Sequence, residues 1–587
     1  MRRRLDLLLP LGLALALSVA SGPLVATATS DASVNVTSSS PTFPFSQNKQ
    51  NEPAVAVDAN HNNIVVAGSN DEIDEQACSS QFSNPCPFTP GVGVSGVYFS
   101  FDSGRSWTQP MYTGYTARGC KANFTTPLSG CAQTEGPIGT LPWYEENGLV
   151  SDGDPGIAFG PVPGTNGFSW SNGDRLYYSN LTSNFPTGGG FKGFEAIAVS
   201  RMDNPSSDIA GAKSSWMIPV VISKQSNTTF SDKSQIWADN AASSAFFGNV
   251  YVCWAMFQGQ EVSPFAAPAA LQVAVSRDGG STWTQHQISA AANNGQRQPP
   301  DGCTIRTDSL GNAYVFGIGS VQSAGGQSFE LMSVSHNGGA NWSTPARVVG
   351  PVHQPGIFDN VQGRPEIDGI VGARSDLAPA PSVDIANGAP TGAGATNHMV
   401  MSFVSSNAAS DENPHVYFTE SSNHGVTWAT PQKIETAGDR GFYAAPAISP
   451  DGTTVYVVYN AFTTPYQTDA SNPRNLVGVV RHGIVSSGVT GSWTTLNRGT
   501  AGDARASSAN SQVAEFLGDY VYAAASNTFG VAVWNDVRNA QDCGAVDTYR
   551  ENLVLGVTPN PKPDPPTSCG AASTFGNSDI FSFSSAT

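Results

Sequence analysis

The chain has 587 residues, of which only 13% are charged, and it carries 61 glycines and 40 prolines. That composition excludes helical bundles and favours many short strands joined by turns. The formal net charge of −18 disfavours a nucleic-acid partner.

Residues 1–28 read as an export signal. Arg2, Arg3 and Arg4 precede an apolar run from Leu7 to about Val19, and Ala26-Thr27-Ala28 offers small residues for cleavage. The mature chain is expected to begin near Thr29 and to be secreted and extracellular. No later apolar run reaches the length of about 18 residues that a spanning helix needs, so no membrane span is predicted. Eight cysteines in an exported chain suggest disulfides, and sequence proximity proposes Cys78–Cys86, Cys120–Cys131, Cys253–Cys303 and Cys543–Cys569. The first two would staple loops, and the third would tie neighbouring repeats together.

From residue 29 onward the chain reads as repeated units, each opening with an apolar strand and followed by a second. The first opens at Glu52-Pro53-Ala54-Val55 and the second at Asp154-Pro155-Gly156-Ile157. The third opens near Gln235 and the fourth near Asp301. The fifth is placed near Arg364-Pro365-Glu366, with a Gly/Ala/Pro-rich excursion from about Ala378 to Thr396. The sixth has Ala445 to Ser449. The seventh has Gly518 to Ala523, Val531 to Trp534, and a strand over Asn552 to Leu555. It lacks a fourth strand, which Ser33 to Thr37 could supply, closing a ring and removing exposed sheet edges. Seven units are favoured, with six plus an extra sheet as the alternative.

Within these units one octapeptide pattern recurs, Ser-x-Asp/Asn-x-Gly-x-x-Trp. It stands at Ser100 to Trp107, Ser276 to Trp283, Ser335 to Trp342 and Ser421 to Trp428. The chemistry is that of a turn: Asp or Asn accepts backbone N–H bonds, Gly takes a positive φ, and Trp anchors the hairpin. These motifs resemble the Asp-box, or BNR repeat, of sialidases and related β-propellers. The resemblance implies an all-β, single propeller of four-stranded antiparallel blades over residues 29–587. It also places each box between the third and fourth strands, on the face opposite the active site, so Asp102, Asp278, Asn337 and Asn423 are structural.

The ligand face then holds the starts of the inner strands, where Glu52, Asp154, Asp301, Glu366 and Asp519 stand. The loop Asn70 to Ser95 adds Asp71, Glu72, Asp74 and Glu75. So many carboxylates repel one another unless cations intervene. Calcium is one explanation, since it prefers oxygen ligands; a solvated acidic rim is the other, and no cofactor is required. The sialidase resemblance implies an arginine triad on the substrate carboxylate, a Tyr nucleophile with a Glu partner, and an Asp acid. The positions that match are Arg297, Arg364 and Arg440 for the grip, Tyr443 or Tyr520 for the nucleophile, Glu366 or Glu515 beside it, and Asp71 or Asp74 as acid. The sequence departs from the family at the first inner strand. Where a Phe/Tyr-Arg-Ile-Pro motif belongs, it has Asn51-Glu52-Pro53-Ala54.

The function so implied is a sialidase-like glycoside hydrolase, exo-α-sialidase in type. It would act as a monomer on terminal sugars of extracellular glycans. The alternative is a non-catalytic propeller that binds polysaccharide or protein through its rim loops.

Overall fold

The computed structural model describes residues 31–77, 88–120, 131–259, 268–293, 301–359, 363–366, 370, 373–375, 377–408, 413–467, 472–507, 517–570 and 573–587. Seven antiparallel blades are arranged as a propeller. Their inner strands are Gln50–Val57, Gly156–Gly164, Thr229–Ala238, Asp301–Thr307, Ser382–Ile385, Arg440–Ile448 and Tyr522–Ala525, which open blades 1 to 7 in that order. The second strands are the most deeply buried. Val250–Gln258 of blade 3 keeps both faces covered up to Met256, with Trp254 fully enclosed. Such near-continuous apolar runs suit a strand packed on both sides, and each enclosed large side chain stabilises by roughly 1.5–3 kcal/mol.

The ring closes as the sequence predicts. Val34–Asn35 pairs with Asp579–Ser584 through Val34↔Ser582 and Asn35↔Phe581, supplying the outer strand of blade 7. The four octapeptide turns share one geometry. Ser100 Oγ accepts from Gly104 N at 2.8 Å, and Asp102 Oδ1 accepts from Arg105 N and Ser106 N at 3.1 and 2.9 Å. The later turns repeat it, with Asp278, Asn337 and Asn423 each accepting an N–H at 2.9 Å. Trp107 Nε1 donates to Ser582 Oγ at 2.8 Å, so the first box also pins the closing blade.

Two elements differ from the sequence-based expectation. The inner strand of blade 5 is Ser382–Ile385, inside the stretch read as an excursion, whereas Arg364–Glu366 forms a two-stranded ribbon with Ile357–Asp359. Asp384 fixes the true strand: it pairs with Arg306 of blade 4 at 3.2 Å and accepts Ile448 N of blade 6 at 2.9 Å. The segment read as a strand at Asn552 to Leu555 belongs to a helix, Gly544–Leu555, closed by Gly556 in the left-handed region. Its apolar Val554 and Leu555 are exposed, so their hydrophobicity reflects no core strand.

Three of the expected disulfides are present: Cys120–Cys131, Cys253–Cys303 and Cys543–Cys569. Cys253–Cys303 links the second strand of blade 3 to the inner strand of blade 4. Cys78 and Cys86 lie outside the described residues. The loop holding Cys120 and Cys131 is not structureless, since Tyr112–Thr116 and Thr134–Ile138 pair within it as a ribbon. No helix among the described residues is long and apolar enough to cross a membrane.

Candidate functional site

The inner strands begin with one repeated irregularity. Register shifts fall between Asn51 and Ala54, Asp232 and Gln235, Asp301 and Thr304, and Gly441 and Ala444. At three of these bulges the side chains of Glu52, Lys233 and Tyr443 meet in one cluster. Four residues at this place have left-handed backbones: Glu52 (φ 54°), Asp154 (φ 53°), Lys233 (φ 57°) and Gly302 (φ 56°). For the three that carry a Cβ this costs roughly 1–3 kcal/mol each, so surrounding contacts must impose it.

Those contacts converge on Lys233. Its Nζ lies 2.9 Å from Glu52 Oε1, 3.4 Å from Asp154 Oδ2 and 2.8 Å from Asp519 Oδ2, joining blades 1, 2, 3 and 7. Arg374 adds a two-pronged contact to Asp519, with Nη2 at 2.6 Å and Nε at 3.2 Å. The Tyr443 hydroxyl lies 3.1 Å from Asp519 Oδ1 and 3.0 Å from the Arg374 carbonyl oxygen, either of which accepts its proton. Asn70 donates to Glu52 Oε2 at 2.8 Å and accepts Asp154 N at 2.8 Å. The Tyr520 ring lies 5.5 Å from the Lys233 ammonium. Gly518, at φ +100°, passes so close to Asn535 that a Cβ would lie 2.7 Å from its amide nitrogen.

The electrostatics separate the carboxyl groups. Burial, reinforced by Asp154, pushes the Glu52 carboxyl well above its usual range. Burial also raises Asp154 and Asp232, and it pushes Asp301 up to about 7. Burial opposes ionisation of Asp519 too, but Arg374 and Lys233 outweigh it and hold that carboxyl well below the usual range. Lys233 is driven upward against its burial by Asp154, Asp519 and Glu52, and stays charged. Burial, then Asp154 and Glu52, push the Tyr520 phenol well above its ordinary value.

Of the residues singled out from sequence, the structure brings Tyr443, Tyr520, Glu52, Asp154 and Asp519 to this axial cluster. Glu366 is buried, and its backbone bridges that of Arg374, the cluster's arginine. Asp74 is elsewhere. It is enclosed under the first-blade loop, paired with Arg118 at 2.7 Å and bonded by Gly139 N and Thr140 Oγ1 at 3.0 and 2.9 Å. Asp71 is likewise enclosed, accepting from Gln50, Ile73, Tyr98 and Gln109. These two acids pin a loop rather than line a solvated rim. Arg440 spends Nε and Nη2 on the Thr464 carbonyl oxygen at 2.9 and 2.6 Å. Arg297 and Glu515 lie outside the described residues, and Arg364 is placed by its backbone strand alone.

Lys233 and Arg374 escaped sequence reasoning. The signal for Lys233 was a lone lysine within Ser231-Asp232-Lys233-Ser234, which stands at the bulge of its inner strand as Glu52 does at the bulge of the first. The cation that the carboxylates demand is thus an ammonium from the chain itself. Beneath the cluster lies a cavity of about 50 Å³ lined in part by Lys233, Tyr443, Asp519 and Tyr522, large enough for a few waters and too small for a sugar ring. A cavity of about 120 Å³ at the other end of the channel is lined by Asn62, Asn240, Asn387 and Asn527, with Arg306 and Asp384 deeper in.

Among solved structures, the chain is similar to the Hadza microbial sialidase Hz136, at 13% identity and TM-score 0.38 over 70% of this chain and 63% of that one. It is similar to a Trypanosoma rangeli sialidase in complex with 2,3-difluorosialic acid, at 12% identity and TM-score 0.39 over 74% and 57% of the two chains. It is also similar to a protein of unknown function from Dyadobacter fermentans, at 10% identity and TM-score 0.35 over 65% and 89%. The match therefore spans under two thirds of each of those sialidases. No family model and no curated protein matches the sequence.

Proposed function

We propose that the protein is an exported, monomeric glycoside hydrolase of sialidase-like architecture that removes terminal sugars from extracellular glycans. The observation that carries this reading is the Tyr443–Asp519 hydrogen bond of 3.1 Å, with Glu52, whose carboxyl is pushed well above its usual range, bonded by Asp519 N at 3.0 Å. Asp519, ionised, accepts the Tyr443 proton as the phenol attacks the anomeric carbon. Glu52, protonated, donates to the departing glycosidic oxygen; water then cleaves the glycosyl–Tyr443 bond, its proton passing to Glu52 while Asp519 returns the proton to Tyr443. Two carboxyl groups with their proton affinities driven apart are what acid and nucleophile-activating roles require. Glu52 takes the acid role in place of Asp74, because Glu52 belongs to the cluster that holds Tyr443 and Asp519 whereas Asp74 is held by Arg118 under the first-blade loop.

Lys233 and Arg374 bring two cations to the axial cluster. This supports an anionic terminal sugar of the sialic acid class, with Arg297 and Arg364 proposed to complete its grip. Arg440 is committed to the Thr464 carbonyl and is proposed to position the blade 6 strand that carries Tyr443. The non-catalytic reading, a propeller binding polysaccharide or protein through its rim, draws support from the small cavity under the cluster. Hydrolysis of a fluorogenic sialoside separates the two. Turnover that falls at least about 100-fold in Tyr443→Phe supports the enzyme. Binding without turnover on any sialoside supports the rim-binding propeller.

A further inference from the structure

A second group of ligand-bearing side chains lies at the other end of the same inner strand. Gln50–Val57 runs from Glu52 at the axial cluster to Asp58 at the box face, a span of about 20 Å at some 3.3 Å per residue. The turn after it carries His61, and the second strand of blade 2 brings Asp174 alongside. One ligand atom from each of Asp58, His61 and Asp174 lies within 4.8 Å of the others. The turn is on the box face, since Ser103 N, inside the first octapeptide, donates to Asn63 O at 3.0 Å.

The arrangement is one cation short. Asp58 and Asp174 are 0% and 3% exposed, whereas the His61 side chain is about half exposed. His61 Nδ1 is 2.5 Å from Asp174 Oδ2 and 3.9 Å from Asp58 Oδ2, so its one nitrogen serves Asp174. Asp174 Oδ1 is held by Asn60 at 2.9 Å, and Asp58 Oδ1 accepts Asn60 N at 2.8 Å. Asp58 Oδ2 is buried and has no hydrogen-bond partner. A buried carboxylate oxygen without a partner is costly and calls for an explanation.

The corresponding turn in blade 4 shows what is missing. Asp308 N donates to Asn312 O, just as Asp58 N donates to Ile64 O. Two residues further on, Tyr314 gives its hydroxyl to Asp308 Oδ2 at 2.9 Å, and Asn312 gives its amide at 2.7 Å. In blade 1 the residue in the place of Tyr314 is Val66, which has nothing to donate. The freed oxygen faces His61 and Asp174 instead.

We propose that Asp58 Oδ2, His61 Nδ1 and Asp174 Oδ2 bind a divalent transition metal, zinc in the first instance, that clips blade 1 to blade 2. The imidazole and the small ligand number disfavour calcium, which takes six or more oxygens; one histidine and two carboxylates suit zinc, with water in the fourth position. Zinc ligands at about 2.0–2.2 Å sit roughly 3.3 Å apart in a tetrahedron, so His61 and Asp174 must part by somewhat under about 1 Å. The exposed imidazole is free to make that movement.

The test uses the full chain stripped with EDTA and titrated with ZnCl2, read by calorimetry and thermal unfolding. About one zinc per chain and a raised Tm, with affinity falling at least about tenfold in both His61→Ala and Asp174→Asn, is the expected result. His61→Ala removes an exposed side chain, and the apo melting curve of each variant shows whether it folds. No saturable zinc binding, equal binding by His61→Ala, or binding of CaCl2 in preference to ZnCl2 would overturn the proposal. Sialoside turnover is not part of the readout, so the metal site stands or falls independently of the axial cluster.

Discussion

The Lys233 ammonium lies 2.8 Å from the Asp519 carboxylate, although 286 positions separate them in sequence, and that pair joins blade 3 to blade 7 across the axis. Glu52 and Asp154 complete the same node, so one cation holds the starts of four blades together. Such a group contributes through its partners. Removing it leaves Glu52 and Asp154 buried without that cation and Asp519 with Arg374, which is costlier than the bridge is stabilising.

Lys233→Met is therefore expected to lower unfolding free energy by about 3–5 kcal/mol. Urea denaturation of the variant against the parent chain measures it. A loss below about 1 kcal/mol would show that the carboxylates find other partners.

The pH dependence follows from the buried acids. Asp74 is raised to about 6 and Asp301 and Asp239 to about 7, each by burial first. Between the unfolded value near 3.8 and those folded values the native chain binds more protons than the unfolded chain, so stability falls as pH rises. Asp519 and the partly buried Asp102 are shifted the other way, and their stabilisation is lost only as pH falls through their lowered values. Thermal unfolding is expected to give a higher Tm near pH 5 than near pH 7.5. Asp301→Asn should flatten that slope, and a Tm that rises steadily from pH 5 to 7.5 would contradict the account.

At the first octapeptide, Asp102→Ala removes the acceptor for two backbone N–H groups on an exposed turn. A cost of about 1 kcal/mol is expected, with unchanged turnover, because the turn is on the face away from Glu52. Chemical denaturation and a sialoside assay on the same preparation check both halves.

Replacing Cys253 and Cys303 with serine opens a crosslink that spans 50 residues and two blades. The double variant is expected to lose about 2–5 kcal/mol and to become sensitive to protease between blades 3 and 4. Equal protease resistance in the presence and absence of reductant would count against a structural role.

How much of this was legible in the sequence depends on whether the information was local. The octapeptides were legible because a positive-φ glycine, a capping acid and a tryptophan must stand at fixed spacing in any such turn. Closure by Val34 was legible because blade 7 lacked a strand. The inner strand of blade 5 was hidden because Ser382–Ile385 is four residues long and its identity rests on Asp384 reaching Arg306 and Ile448, which no spacing encodes. The helix over Gly544–Leu555 was misread because Leu553-Val554-Leu555 looks like a strand when its exposure is unknown. At the candidate site, carboxylates converging at strand starts were readable. Lys233 and Arg374 were not, because bulges in separate blades, not neighbours in the chain, bring them together. The same holds for Asp58, whose missing partner is visible only beside Tyr314 of another blade.

The central claim is that the axial cluster performs hydrolysis through Tyr443 and Asp519. The most direct measurement is the initial rate of fluorogenic sialoside cleavage by the parent chain, Tyr443→Phe and Asp519→Asn, each checked for a native melting transition. Measurable turnover by the parent and a loss of at least about 100-fold in both variants are expected. Turnover by folded Tyr443→Phe equal to that of the parent, or no turnover by the parent on any sialoside, would contradict it.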